Sequence, residues 1–451
     1  MAFGFFKKKE SFADRVFYNG HIYTMDQDVP WVDAVAVKDG KVLAVGSYEE
    51  METLFNDDTE RVDLKDKYMY PGFIDIHHSP VMQMMEANYA MDEEEEQEAE
   101  EAEAKNIFAS LEHAEIFEYL DDEEEMDLGD ALSEGEIVYE IEVAEDDGEG
   151  EEGDEDGEDG EEEGEELDDE TEYFVDNSEF TAKVAETMDK LSDHGYTSVL
   201  DLRTPNEIEN EFTDSLIEMY TEDQLKQRFF GALYVNRPVP ARLVKEVLSM
   251  RRTKCVEVGD MIRNEVLHLV LDSSEGKAFP QTDLNNMLTE CSDRGFILFV
   301  EAVEHEDLVK AYRAVDFVRN KGYKNNIIIM TDEDLTDEEA AELSYDGTAY
   351  WTWRSDVMGR SFFDDNLDDP YVAIEHLTME SAAMLGVEDV LGSIEKDKYA
   401  DFTVFSENLL EKRPSEFGKL YSDMTVVNGE IVHDVEREND DYLFNMMLYS
   451  R

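Results

Sequence analysis

Basic residues are scarce in this chain: 38 Lys and Arg stand against 116 Asp and Glu, for a formal charge of −78. A protein that grips nucleic acid by neutralising phosphates needs the opposite surface, so that class is excluded. The same sign disfavours docking onto anionic membranes. Apolar runs are short, and none approaches the roughly 20 residues that span a bilayer. At the start, a few apolar residues precede Lys7-Lys8-Lys9. That is the reverse order of a secretory signal, so none is expected. Cysteine is nearly absent, with only Cys255 and Cys291 in 451 residues. This removes any disulfide framework and points to a reducing compartment, the cytoplasm by default.

Acid is abundant, and it is concentrated. Residues 91–170 hold 42 acids and one base, Lys105, a net −41 in 80 residues. Self-repulsion and scarce apolar surface predict that much of this block stays unpacked. Within it, Ile107, Leu111, Ile116 and Leu120 give 104–120 a helical period, and 136–143 alternates like a strand. Residues 144–170 are almost pure Asp, Glu and Gly. There Glu152, Asp154, Asp156, Gly157 and Glu163 fall on EF-hand-like spacing. In so dense a tract such spacing arises by chance and no helices flank it. Loose binding of Ca²⁺ or Mg²⁺ by many carboxylates is the expectation. The other 371 residues carry a net −37 and have the apolar content for one large domain or two smaller ones.

Both ends of that remainder read as β structure. Val16-Phe17-Tyr18 leads into a turn at Asn19-Gly20, then His21-Ile22-Tyr23-Thr24. Asp39-Gly40 separates two β-branched runs as a hairpin turn, because both positions tolerate positive φ. Residues 401–405 and the hairpin 424–432 around Asn428-Gly429 repeat this grammar at the far end. Neither β segment can bury a core alone, so the two are expected to combine into one composite β-sandwich. The middle alternates short apolar strands with amphipathic helices, as in a parallel α/β barrel. Strands are predicted at 68–76, 198–203, 228–235, 266–272, 297–303, 326–332 and 348–354, with helices such as 180–194 and 283–294. Seven strands predict a (β/α)₈-type barrel lacking a clear eighth unit. The domain plan therefore gives 13–70 to the N-terminal segment of the sandwich and 71–90 to the first barrel strand and its exit. An acidic insertion at 91–175 follows, then the rest of the barrel at 176–390. The C-terminal segment of the sandwich takes 391–436 and a tail takes 437–451.

These residues bear a resemblance. Residues 17–26, 34–46 and Tyr70-Pro71-Gly72-Phe73-Ile74-Asp75-Ile76-His77 are similar to the opening of the amidohydrolase superfamily. The branch it looks like is the N-substituted formamide deformylase-like one. Gly392-Ser393-Ile394-Glu395, then Lys398-Tyr399-Ala400-Asp401-Phe402-Thr403-Val404 and Val427-Asn428-Gly429-Glu430-Ile431-Val432, resemble its closing signature. The resemblance covers roughly 14–80 and 380–435. It implies a metal-binding (β/α)₈ barrel with a composite sandwich and metal-dependent hydrolysis of non-peptide C–N bonds. It also implies the dimers that such relatives often form.

The ligand positions depart from the family. Its first metal motif is His-x-His, two imidazoles on one side of a strand. Here His77 is followed by His78 and Ser79, and a hydroxyl is a poor substitute for imidazole. Where the family carries ligand histidines on two later strands, Glu301 and Thr331 stand, and His268 takes a position often held by Lys. The family's Asp base has Asp356, in Ser355-Asp356, as its nearest candidate. A rebuilt centre of His77, His268, Glu301 and Asp332 would suit Zn, Fe or Mn. The leading expectation is a pseudoenzyme with an assembly or interaction role. It would act as a homo-oligomer or through a protein partner at the acidic insertion or the tail. The alternatives are an active hydrolase with a rearranged site and a divalent-cation-binding acidic protein.

Overall fold

β-Branched and aromatic residues alternate at both chain ends, and the strands they form meet in one sheet. The computed structural model describes residues 12–76, 177–204, 209–274, 278–331, 333, 336, 349–352 and 369–437. All of these fall in one compact unit, Met1–Tyr89 with Asn177–Arg451. The features expected within 77–176 and 438–451, together with Asp332 and Asp356, lie outside the described residues.

The chain opens with β1 (Arg15–Tyr23), β2 (Trp31–Lys38), β3 (Lys41–Gly46), α1 (Tyr48–Met51), β4 (Glu60–Asp63), β5 (Tyr68–Pro71) and β6 (Phe73–Asp75). Next come α2 (Asn177–Asp193), β7 (Tyr196–Asp201), α3 (Glu209–Thr221), β8 (Arg228–Val235), α4 (Ala241–Lys254) and β9 (Ile262–Leu271). They are followed by α5 (Gln281–Asp293), β10 (Ile297–Ala302), α6 (His305–Asn320), β11 (Ile327–Met330) and β12 (Ala349–Thr352). α7 (Pro370–Glu375) runs through a π-helical turn at His376–Glu380 into α8 (Ser381–Met384), and β13 (Phe402–Phe405), β14 (Met424–Val427) and β15 (Glu430–Asp434) close the fold.

Hydrogen bonding unites β15-β14-β13-β5-β1-β2-β3 in one sheet, with β4 added on β1. The two chain ends join where β13 pairs antiparallel with β5, Phe402 opposite Pro71. Phe17, Val35, Phe402, Val404 and Val426 fill the core of this sheet. The expected turn at Asn19-Gly20 is instead an irregularity inside one strand. β1 pairs with β4 through Arg15–Tyr18 and with β5 through His21–Ile22, and its register with β2 shifts between Tyr18 and Ile22. Asn19 takes φ 58° there, so a single strand serves two partners on the same side. Asp39-Gly40 and Asn428-Gly429 are hairpin turns with positive φ at all four residues.

The second sheet runs β12-β11-β10-β9-β8-β7-β6, all parallel and in sequential order. Seven parallel strands form a curled half-barrel among the described residues. The expected strand 68–76 is divided between the two sheets, and Gly72 is the crossing point. Its N–H donates to the Asp401 carbonyl at 2.8 Å, and a Cβ there would sit 2.2 Å from Thr197 Oγ1. Ile74, Leu200, Phe230, Val266, Phe299 and Ile328 share one face of the second sheet with Ala382, Met384 and Leu385 of the C-terminal helical segment. Asn326, just before β11, donates to the Met384 carbonyl at 3.2 Å, which places that segment at the N-terminal ends of the strands.

One buried ion pair ties the sheets together. Arg228, at the start of β8, donates from Nε to Asp401 Oδ2 at 2.7 Å and from Nη2 to Asp401 Oδ1 at 3.1 Å. Their side chains are 2% and 3% exposed. The guanidinium also bonds the Asp260 carbonyl and Asn428 Oδ1 and lies 3.9 Å over the Tyr399 ring.

Arg228→Met strands a buried carboxylate and should lower unfolding free energy by about 3–5 kcal/mol, read from urea denaturation. Adding Asp401→Leu should recover part of the loss; a double variant as unstable as the sum of the singles would refute a coupled pair. Burial also pushes the thiols up, Cys255 to about 11 with Glu209 adding, and Cys291 to about 12 with Glu290 adding. Neither thiol should react with iodoacetamide at pH 8 in the folded chain, and both should react in urea. Unfolded thiols ionise near about 8.5, so their contribution to stability is complete below that pH and fades as pH rises toward the folded values.

Candidate functional site

On a parallel strand side chains alternate, and residues in register on neighbouring strands point the same way. Register sets Tyr234 beside His268 and His268 beside Phe299. Glu301 lies two residues further along β10, in register with Val270 and Met330. His268 and Glu301 therefore project from the same face as the apolar residues around Phe299, toward the C-terminal ends of the strands. Both are buried, at 0% and 2% exposure.

A polar group so placed needs a partner. His268 Nδ1 lies 2.9 Å from the carbonyl oxygen of Leu202, which can only accept, so Nδ1 carries hydrogen. Nε2 lies 3.0 Å from Glu301 Oε2, and that contact holds one proton between the two atoms. The other carboxylate oxygen, Oε1, is 3.6 Å from Nη2 of Arg203, a side chain 43% exposed. The Tyr234 ring packs 5.4 Å from the imidazole.

Arg203 is positioned by an Asx turn at the end of β7. Its backbone N–H donates to Asp201 Oδ1 at 3.0 Å, and Asp201 is fully buried. Thr204 follows, 3% exposed, with an Oγ1 that has no hydrogen-bond partner among the described residues. Thr331 is also buried, but its Oγ1 accepts from the Glu333 N–H at 3.0 Å, and Met330 rather than Thr331 stands in register with Glu301.

Two of the residues expected at a metal centre, His268 and Glu301, are thus brought together. His77, Asp332 and Asp356, and the carboxylates Glu152, Asp154, Asp156 and Glu163, lie outside the described residues. No group of three His, Cys, Asp or Glu side chains is arranged as a metal site among the described residues. Arg203 is a residue of this network that the sequence pattern does not single out. The available signal is its place just past a barrel strand, at the end where such folds keep their chemistry.

Four likenesses to known proteins accompany this geometry. A family model described as Amidohydrolase family matches residues 343–433. Protein LONG AFTER FAR-RED 3 of Arabidopsis thaliana is 38% identical over 65 residues, 14% of this chain and 11% of that protein. Putative amidohydrolase YtcJ of Bacillus subtilis (strain 168) is 36% identical over 63 residues, 14% of this chain and 12% of that one. The chain thus matches only about a tenth of the length of these curated relatives. Across the fold, an uncharacterized metal-dependent hydrolase from Pyrococcus furiosus superposes with TM-score 0.53 at 14% identity, over 88% of this chain and all of that one. The resemblance to the amidohydrolase family holds, and the likeness in fold extends over most of the chain. No helix among the described residues is long and apolar enough to cross a membrane.

The ion network makes a graded prediction. Glu301→Leu leaves a buried imidazole without its partner and should cost about 3 kcal/mol. Arg203→Gln breaks one long, half-exposed contact and should cost below about 1 kcal/mol. Urea midpoints of the two variants check the order, and equal losses would contradict it.

Proposed function

We propose that this chain keeps the amidohydrolase fold without the family's metal-dependent hydrolysis of C–N bonds, and serves as a pseudoenzyme in assembly or interaction. The observation that carries this reading is what surrounds Glu301. One oxygen shares a proton with His268 and the other faces the Arg203 guanidinium. A hydrolytic metal centre needs about three protein ligands and an open position for water. The described residues offer two donors and set a fixed cation beside one of them, so they do not fit such a centre. The His268–Glu301 pair, with Arg203 beside it, is a structural element that links the ends of β7, β9 and β10. Interaction would then run through a second copy of the chain, or a protein partner meeting the acidic insertion or the tail.

One observation favours the competing reading, a hydrolase with a rearranged site. With Nδ1 held by a backbone carbonyl, Nε2 is the nitrogen left to face a ligand, the arrangement usual for metal-bound histidine. Zn, Fe or Mn would then need His77 or Asp332 as further ligands, with Asp356 as base. The P. furiosus relative, described as metal-dependent, lends this alternative its chemistry.

Metal analysis of protein purified without chelators separates the two. The pseudoenzyme reading expects far less than stoichiometric transition metal, and no turnover of N-acyl or formamide substrates after zinc, iron or manganese is supplied. One tightly held metal per chain, with turnover abolished by Glu301→Ala, would establish the hydrolase instead.

A further inference from the structure

We infer that the cleft between α1 and β4 binds a free α-amino acid with a cationic side chain, arginine or lysine. Its three charges complement the three that line the cleft.

The turn that follows α1 builds this cleft. It encloses about 340 Å³ and is lined by Tyr48, Glu52, Phe55, Asn56, Asp57 and Arg61. That volume is at the small end for ligand sites and suits a single amino acid. Hydrogen bonds pin its walls to the start of the chain's first sheet. The Ala13 N–H donates to the Leu54 carbonyl at 2.9 Å, and the buried Thr59 hydroxyl donates to the Ala13 carbonyl at 2.8 Å. A site held in this way loses little freedom when a ligand arrives.

Aromatic rings supply its apolar surface. Tyr48 packs against Phe55 with ring centroids 5.5 Å apart, and against Tyr18 at 4.8 Å. The Arg61 guanidinium lies over the Phe55 ring, 5.0 Å from the centroid. That contact holds the guanidinium and leaves its N–H edge available to a carboxylate.

The polar groups of the lining are not matched to one another. Arg61 has no ion pair or side-chain hydrogen bond among the described residues, although two carboxylates line the same cleft. Glu52 and Asp57 likewise form no ion pair among the described residues. Asn56 Oδ1 accepts from the Asp58 N–H at 2.9 Å, which leaves the amide N–H groups of Asn56 to donate. Cation and acids therefore stand too far apart to pair directly, and a ligand carrying both signs can meet them all.

Charge then selects the ligand. One guanidinium and two carboxylates call for one carboxylate and two cations, the set that arginine and lysine carry at neutral pH. The ligand carboxylate goes to Arg61 and Asn56, its two cations to Glu52 and Asp57, and its methylene stem to the rings. Chain neighbours do not change the sign. Glu49 and Asp58 add acid, Glu50 is engaged in capping α1 at Ser47, and Glu60 is held by Arg15 and Arg437. The inference goes beyond the pseudoenzyme reading, since these elements carry none of the residues weighed for a metal centre.

Saturation-transfer difference NMR titrations of the full chain test it, in about 0.15 M salt, where charges beyond about 8 Å are screened. The probes are L-arginine and agmatine, which carries two positive charges but lacks the carboxylate. Loose attraction to a chain of net charge −78 favours agmatine, whereas the cleft favours arginine. Expected are saturable arginine binding and agmatine weaker by about threefold or more. Arg61→Gln should lower arginine affinity by about threefold or more and remove the preference over agmatine. Glu52→Gln should also weaken arginine binding. Circular dichroism verifies that each variant folds; if Arg61→Gln does not, Glu52→Gln carries the comparison. Three results overturn the inference: no saturable arginine binding, agmatine bound as tightly as arginine by the wild-type chain, or arginine affinity unchanged in either folded variant.

Discussion

The composite β sheet meets the parallel sheet through one buried arginine and the groups that neutralise it. Arg228 opens β8, and Asp401 lies in the closing β segment, 173 residues away. A buried guanidinium is tolerable only when its charge and its N–H groups are nearly all matched. Here the Asp401 carboxylate, the Asp260 carbonyl and the Asn428 side chain do so, with the Tyr399 ring covering one face. Asp401 also accepts from the Asn428 N–H at 2.8 Å, which steadies the hairpin turn between β14 and β15. The pair therefore fixes the composite β sheet against the N-terminal ends of the parallel strands. With that end closed, and with the segment around Met384 packed on the inner apolar face, the opposite strand ends are left for chemistry.

Those ends differ from the closed end in how polar groups are satisfied. His268 and Glu301 emerge from a face that is otherwise Val266, Phe299 and Ile328. The imidazole is oriented by a backbone carbonyl of β7's extension, two strands away from its own, so its position reports the curl of the sheet. In a flat sheet, strands two apart are separated by nearly 10 Å, beyond the span of a histidine side chain. Curling brings Leu202 and His268 into contact, and the same curling lets Arg203 reach Glu301. The site is thus a consequence of sheet curvature before it is a consequence of residue type.

Much of this fold is legible in the sequence, because strands and turns leave local marks. The β-branched runs of β2, β9 and β11 and the Asp39-Gly40 and Asn428-Gly429 turns need only neighbours in the chain to be recognised. Asn19-Gly20 misleads for a physical reason: the same pair that reverses a hairpin also makes a bulge, and only the presence of β4 and β5 along one side of β1 selects the bulge. Within the site, His268 and Glu301 can be picked out as polar residues interrupting apolar strands. Arg203 cannot, since its meaning lies in a partner 98 residues away and nothing in its local pattern marks it. Arg228 is the same case at the closed end: an arginine at a strand start, ordinary until Asp401 is placed beside it.

The residues expected at a metal centre also read differently once the geometry is known. Taken singly, Glu301 on β10 is a metal donor by residue type. Its setting adds a condition. A carboxylate that accepts from an imidazole and faces a guanidinium has its charge met by the protein's own cation. A metal ion entering there would have to displace the shared proton and sit near Arg203.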